Sequence, residues 1–164
     1  MKTVSRQELT LEGFKKYGYF QNMIDPKEVK IGSAPIEFFR DLVPLRLDSG
    51  RVPMISVNRV ERRELIINVG EYHDSTAEGL MPIDGDVLMF VAPATAGGEW
   101  SSDSVEVFEV PKGTFVSLNP GVWHHGCFAA DSDAVNLLIA LPERTYQVDC
   151  IVKELSCEEQ LQII

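Results

Sequence analysis

From Val52 onward the apolar residues gather into short runs broken by turn residues. Val52–Val60, Leu65–His73, Gly79–Ile83 and Val87–Ala92 are rich in Val, Ile, Leu, Met and Phe and read as strands. Asp84-Gly85-Asp86 has the composition of a tight hairpin turn. Ala94–Ser104 is a polar loop, and Ser104–Val110 alternates apolar and polar residues as a half-buried strand does. Pro111-Lys112-Gly113 turns the chain into Thr114–Leu118. Asn119-Pro120-Gly121 turns it again into Val122–Ala129, and Ala134–Leu141 and Tyr146–Val152 complete the strands. The ends read differently. Residues 5–18 are expected to form a short helix, with Ser5 and Glu8 as a capping box, Thr10 as a second cap and Gly18 as the stop. Phe14 and Tyr17 would face the body. Asp25-Pro26 and Gly32–Pro35 are irregular, and Ile36–Leu42 is strand or helical turn. Ser156 with Glu159 suggests a cap for a C-terminal helix whose apolar end, Leu161, Ile163 and Ile164, packs on the body or on a partner subunit. Many short strands, few helices and frequent Gly/Pro turns predict an all-β sandwich or barrel.

Length and composition narrow the picture. With 164 residues and no linker or repeat, one domain over 1–164 is expected. The formal net charge of -10, with no basic run, argues against nucleic acid as a partner. The N-terminal residues lack the apolar core of a secretory signal. The longest apolar run, Val87–Ala96, is half a membrane span and contains Pro93. Cys127, Cys150 and Cys157 form no C-x-x-C pair and read as reduced thiols of a cytoplasmic protein.

All three histidines lie in two segments, Gly70–Gly85 and Pro111–His125. Glu71 and His73 are two apart and share one face of a strand. Glu78 follows after a polar turn, and His124 comes beside His73 and Glu78 if the strands close into a small barrel. Imidazole and carboxylate in a barrel mouth suit a divalent metal or general acid/base chemistry. His125 alternates away from His124, to an outward or supporting position. Of Asn58 and Arg59, only one can point inward. Arg59 offers paired donors to a carboxylate, or else a surface ion pair with the acids nearby.

These segments resemble the two signature motifs of the cupin superfamily. Glu71 (in the place of a histidine), His73, Glu78 and Gly85 stand for the first motif, and Gly113, Pro120, Gly121 and His124 for the second. Within the cupins the chain resembles the ureidoglycolate lyases of allantoin and purine breakdown. The likeness is carried by Phe14–Gly18, Arg40-Asp41-Leu42, Ile55–Arg59, Glu71-Tyr72-His73, Met81-Pro82 with Gly85, and Val122–His125. The resemblance implies a double-stranded β-helix (jelly-roll barrel) with short N- and C-terminal helices. It also implies a homodimer that splits ureidoglycolate into glyoxylate and urea. On that reading His73, His124 and Glu78 are catalytic, and Asn58, Arg59 and His125 bind the small-molecule substrate. Glu71, His73, Glu78 and His124 would be ligands for Zn, Mn, Fe or Ni. Two departures stand out. A glutamine is common in these lyases where Glu78 stands here. Their Asp-Arg pair after the histidine doublet is replaced by Leu141–Tyr146. The glutamate favours an alternative: a metal-dependent cupin that isomerises or merely binds a sugar or sugar acid.

Overall fold

A computed structural model describes residues 1–47 and 52–164. The N-terminal part contains β1 (Lys2–Val4), β2 (Arg6–Glu8), α1 (Leu11–Phe14), β3 (Gly18–Asn22), β4 (Lys30–Ser33) and β5 (Ile36–Phe39). The middle contains β6 (Pro53–Glu61), β7 (Ile66–Ile67), β8 (Val69–Tyr72), β9 (Glu78–Pro82), β10 (Val87–Val91), β11 (Glu106–Val110) and β12 (Thr114–Leu118). Then follow β13 (Phe128–Ala129), β14 (Ala134–Pro142), α2 (Thr145–Val148), β15 (Ile151–Glu154) and β16 (Leu161–Ile163).

Two sheets face each other. One has the order β3-β12-β9-β14-β6 and the other β13-β10-β11-β2. Between them lie Leu80, Val116 and Leu137 from the first sheet and Val87, Met89 and Val91 from the second, and Phe14 and Tyr17 join the same cluster, packed against Phe108. Leu88 and Phe90 belong to a second cluster on the far side of β10, with Ile67, Trp123, Leu161 and Ile163. The unbroken apolar run of β10 is thus explained. Its alternate residues feed two cores, so neither face needs polar side chains.

Several local expectations change. Only Leu11–Phe14 of the expected N-terminal helix forms, capped by Thr10, whose Oγ1 accepts the Gly13 N–H at 3.2 Å. Arg6–Glu8 instead pairs in parallel with β11, whose edge N–H and C=O groups take these residues as partners. Phe14 and Tyr17 are buried as expected. Gly18 opens β3 rather than ending a helix. Its φ is +156°, and a Cβ there would fall 1.9 Å from the Ser117 carbonyl oxygen. The expected hairpin at Asp84–Asp86 is a link between sheets, because β9 and β10 pair with different neighbours. The Asp84 carboxylate accepts the backbone N–H of Asn136 at 2.8 Å. Leu65–His73 is broken into β7 and β8, and the expected strand at Tyr146–Val152 begins as α2.

The C-terminal helix does not form. Ser156 N–H donates to Glu159 Oε2 at 3.0 Å, but this makes only a turn before β16. Leu161 and Ile163 are two apart, so a strand puts both in the core, each 2 % exposed. The apolar tail therefore packs on its own chain, apart from the exposed Ile164. Thr10→Ala is expected to cost about 1 kcal/mol, read as a lower urea midpoint.

Candidate functional site

The two histidine segments meet as a short antiparallel bridge. Glu71 N–H donates to the His124 carbonyl at 2.7 Å, and His124 N–H returns to the Glu71 carbonyl at 2.8 Å. Directly opposed residues share a face, so Glu71, His73 and His124 point the same way. Tyr72 and Trp123 point the other way and pack together, with centroids 4.7 Å apart. Gly121 tightens the approach: its N–H donates to the His73 carbonyl at 2.7 Å from a backbone with φ +79°. Glu78 comes from β9, on the same inward face as Leu80.

These elements deliver His73, Glu78 and His124 to one buried point, at 4, 8 and 4 % exposure. His73 Nε2 lies 2.9 Å and His124 Nε2 3.0 Å from the same oxygen, Glu78 Oε2. The other ring nitrogens face carbonyls. His73 Nδ1 donates to Asp149 O at 2.6 Å and His124 Nδ1 to Val122 O at 2.8 Å. With each Nδ1 carrying its hydrogen, each neutral imidazole turns its Nε2 lone pair toward the carboxylate. Three lone pairs converging at a buried point require a cation among them, either a proton or a metal ion. One donor atom from each of the three residues lies within 4.8 Å of the others, a spacing that fits a shared ion.

The electrostatics agree. Burial would raise the Glu78 carboxyl, but His124 and His73 overcome it and hold it at about 2. Burial would lower the His124 imidazole, yet the Glu78 carboxylate leaves it above its ordinary value. In the absence of a metal, this is a carboxylate–imidazolium contact. His125, by contrast, is lowered by burial.

The site opens into a pocket of about 470 Å³. Glu71 lines it, but its carboxylate lies outside the three-residue donor set and accepts the Cys150 thiol at 3.4 Å. His125 also lines the pocket rather than facing away, because the bridge ends at His124 and strict alternation ends with it. Asn58 faces the pocket from β6. Arg59, its neighbour, points outward with its Nε 3.8 Å from Glu61 Oε1, so the expected carboxylate clamp is not in the pocket. Strand parity is the reason: Asn58 is paired with the inward Leu137, and Arg59 with Asn136.

Sequence reasoning missed the segment after β14. Tyr146, Cys150 and Val152 form part of the pocket wall. Asp149 holds this segment against the site, its carboxylate accepting the N–H groups of Asp74 at 2.7 Å and Ser75 at 3.1 Å. Its carbonyl fixes the His73 tautomer, a role no side-chain pattern announces. Arg63 was also missed as a support. Its guanidinium donates to the carbonyls of Gly126 and Cys127, both at 2.9 Å, and stacks on Phe128. Burial pushes the Cys127 and Cys150 thiols up to about 12, so both stay protonated near neutral pH. Among the described residues, no helix is long and apolar enough to cross a membrane.

The comparisons bear on fold and family. A dTDP sugar isomerase from Desulfovibrio desulfuricans G20 is similar in structure, with a TM-score of 0.50 and 15 % identity. That match covers 80 % of this chain and 83 % of that one. NovW, a 4-keto-6-deoxy sugar epimerase from Streptomyces spheroides, matches with a TM-score of 0.38 and 20 % identity over 67 % of this chain and 58 % of its own. At 15 % identity the first likeness concerns the fold alone, and the second carries no argument; with the two facing sheets the architecture is a cupin-type jelly roll. No curated protein matches the sequence. The model of the family described as ureidoglycolate lyase matches residues 1–163. The chain, cupin in fold, therefore belongs to the ureidoglycolate lyase family.

Proposed function

We propose that this protein splits ureidoglycolate into glyoxylate and urea, with a divalent ion held by His73, Glu78 and His124. The observation that carries the reading is the convergence of two Nε2 atoms and one carboxylate oxygen, with both Nδ1 atoms committed to carbonyls. This donor set suits Zn, Mn, Fe or Ni. Such an ion, when bound, acidifies a hydroxyl and stabilises the developing negative charge.

The reaction is an elimination. The carbinol proton leaves to a base, the C–O bond becomes a carbonyl, and the C–N bond breaks. Its electron pair goes to the urea nitrogen, which takes a proton. With both Nε2 atoms committed to the ion, the base comes from pocket groups outside the set. Glu71 and His125 stand there. If a proton takes the place of the ion, the His124–Glu78 pair itself supplies the acid and base. Asn58 lines the far wall of the same pocket, on β6. The route serves allantoin breakdown in the cytoplasm, where free Cys127, Cys150 and Cys157 suit reducing conditions.

Urea release from racemic ureidoglycolate above the spontaneous rate tests the reading. Stoichiometric bound metal without urea release would instead favour the sugar-directed alternative. Asp149→Ala keeps the carbonyl that accepts from His73 but removes the carboxylate that ties its segment to Asp74 and Ser75, and is expected to weaken divalent metal binding by up to about tenfold, measured by competition with a chromophoric chelator. A homodimer is part of the proposal. Exposed Ile55 and Val57 on the edge strand β6, and Ile31, Ile36 and Phe38 on the β4–β5 hairpin, supply apolar surface for it. A gel-filtration mass equal to one chain would count against it.

A further inference from the structure

The pocket is larger and more apolar than ureidoglycolate requires. Three neighbouring strands form its floor, and their register maps it. Glu78 and Leu80 come from β9, Leu137, Ile139 and Leu141 from β14, and Ser56 and Asn58 from β6. Ile139 is paired with Leu80 on one side and Ser56 on the other. The apolar stripe of β14 therefore separates the ion-holding group from the polar side chains of β6. Crossing it takes two strand spacings, about 10 Å. Asn58 lies opposite Leu137, four residues along β14 from Leu141, a further displacement of about 13 Å.

Ureidoglycolate fits this floor poorly. Its only C–H surface is the carbinol carbon, and only that carbon, one nitrogen and the urea carbon separate its hydroxyl from its far nitrogen. Placed at His73, Glu78 and His124, it leaves the half-buried Ile139 uncovered and does not reach Ser56 or Asn58; Leu137 and Leu141, 1 and 4 % exposed, are already covered by the protein and support Ile139 from either side. Apolar surface left facing water is a missed gain of about 25 cal/mol per Å².

We infer that the preferred substrate is an N′-substituted ureidoglycolate. Its apolar substituent lies over Ile139, the residue of the stripe that is open to the pocket, and its far end reaches Ser56 and Asn58. This rests on the lyase reading and narrows its substrate. The hydroxyl, carboxylate and scissile C–N bond are unchanged, so the elimination still balances, with a substituted urea as the leaving product.

The test uses carbamoyl oxamate, an uncleavable analogue with a carbonyl in place of the carbinol, and its N′-ethyl and N′-butyl derivatives. Their affinities for the wild-type protein, loaded with zinc, are measured by titration calorimetry. Each buried methylene is worth up to about fourfold, so N′-butyl is expected to bind at least about tenfold more tightly than the parent. Ile139→Asn should bring that ratio to about one. The chain-length series on wild-type protein decides the matter even if this variant folds poorly. Equal or weaker binding of the butyl compound, or no binding of any member, overturns the inference. Urea release from ureidoglycolate reports separately on the lyase reading. Tighter butyl binding without release of butylurea from N′-butyl ureidoglycolate keeps the ligand class and removes the lyase.

Discussion

Glu78→Gln is expected to lower urea release at least about a hundredfold while leaving the protein folded. The substitution keeps the shape of the side chain and removes its charge. In the metal-free protein the new amide has two N–H donors for the Nε2 lone pairs of His73 and His124, so no buried polar group is orphaned. Stability near neutral pH should fall by no more than the ionic contact itself contributes, about 3 kcal/mol. The amide is, however, a much weaker ligand than a carboxylate and cannot stabilise an imidazolium beside it. Both versions of the chemistry, ion-assisted or proton-assisted, then lose their central group, and removal of such a group costs about 10²- to 10⁴-fold. Glu78→Ala differs: it leaves two buried imidazole nitrogens without a partner and should cost about 3–5 kcal/mol in stability. Comparing the two separates the chemical role from the structural one. The glutamine common at this position in similar lyases sharpens the test, because full activity in Glu78→Gln would make the glutamate dispensable.

The second large effect is a dependence of metal-free stability on pH. Glu78 titrates at about 2 in the folded protein, below its unfolded value of about 4.3. Its contribution is present above about pH 4.3 and is lost as the pH falls toward 2. His124 is raised above its unfolded value of about 6.5. Its contribution is present below about pH 6.5 and is lost as the pH rises through its folded value. The two shifts describe one buried contact and count once, about 3 kcal/mol on the acid side. Between pH 6.5 and 8 the metal-free protein should therefore lose stability. His125, lowered by burial, acts in the opposite sense, because the unfolded chain still binds a proton there near pH 6.5; it offsets the decline by no more than about 0.4 kcal/mol, and the thiols of Cys127 and Cys150, raised by burial, add slightly to the decline toward pH 8. A metal ion replaces the proton that holds the three groups together, so the zinc-loaded protein should lack this decline. Urea midpoints at pH 6.5 and 8, with and without zinc, measure it. A midpoint that rises with pH in the metal-free protein would contradict the assigned contact.

Much of this site was legible because its geometry follows from strand parity. Glu71 and His73 share a face by spacing alone, and the Asn-Pro-Gly turn before His124 brings the second segment back against the first. The same parity could not decide between Asn58 and Arg59 until the pairing of β6 with β14 was known. Glu71 illustrates another limit. It faces the pocket as expected, yet its carboxylate is engaged by Cys150, a residue far along the chain whose position no local pattern predicts. Asp149 acts on His73 through a backbone carbonyl, which every residue type possesses. The terminal segments misled for a different reason. Capping residues at Ser5/Glu8 and Ser156/Glu159 suit helices locally, but free edges at β11 and β1 bind the adjoining residues as strands. Tertiary pairing overrode a local preference worth about 1 kcal/mol.

An ion at His73, Glu78 and His124 is expected to drive urea release. The most direct measurement is a titration of chelator-stripped protein with zinc, manganese, iron or nickel, following urea release from ureidoglycolate and bound metal together. Release should be negligible at the start and rise in proportion to bound metal. The rise should reach a plateau at one ion per chain, and the Glu78→Gln protein should show none of it. Full release from the stripped protein, unchanged by any of the four ions, would contradict the claim.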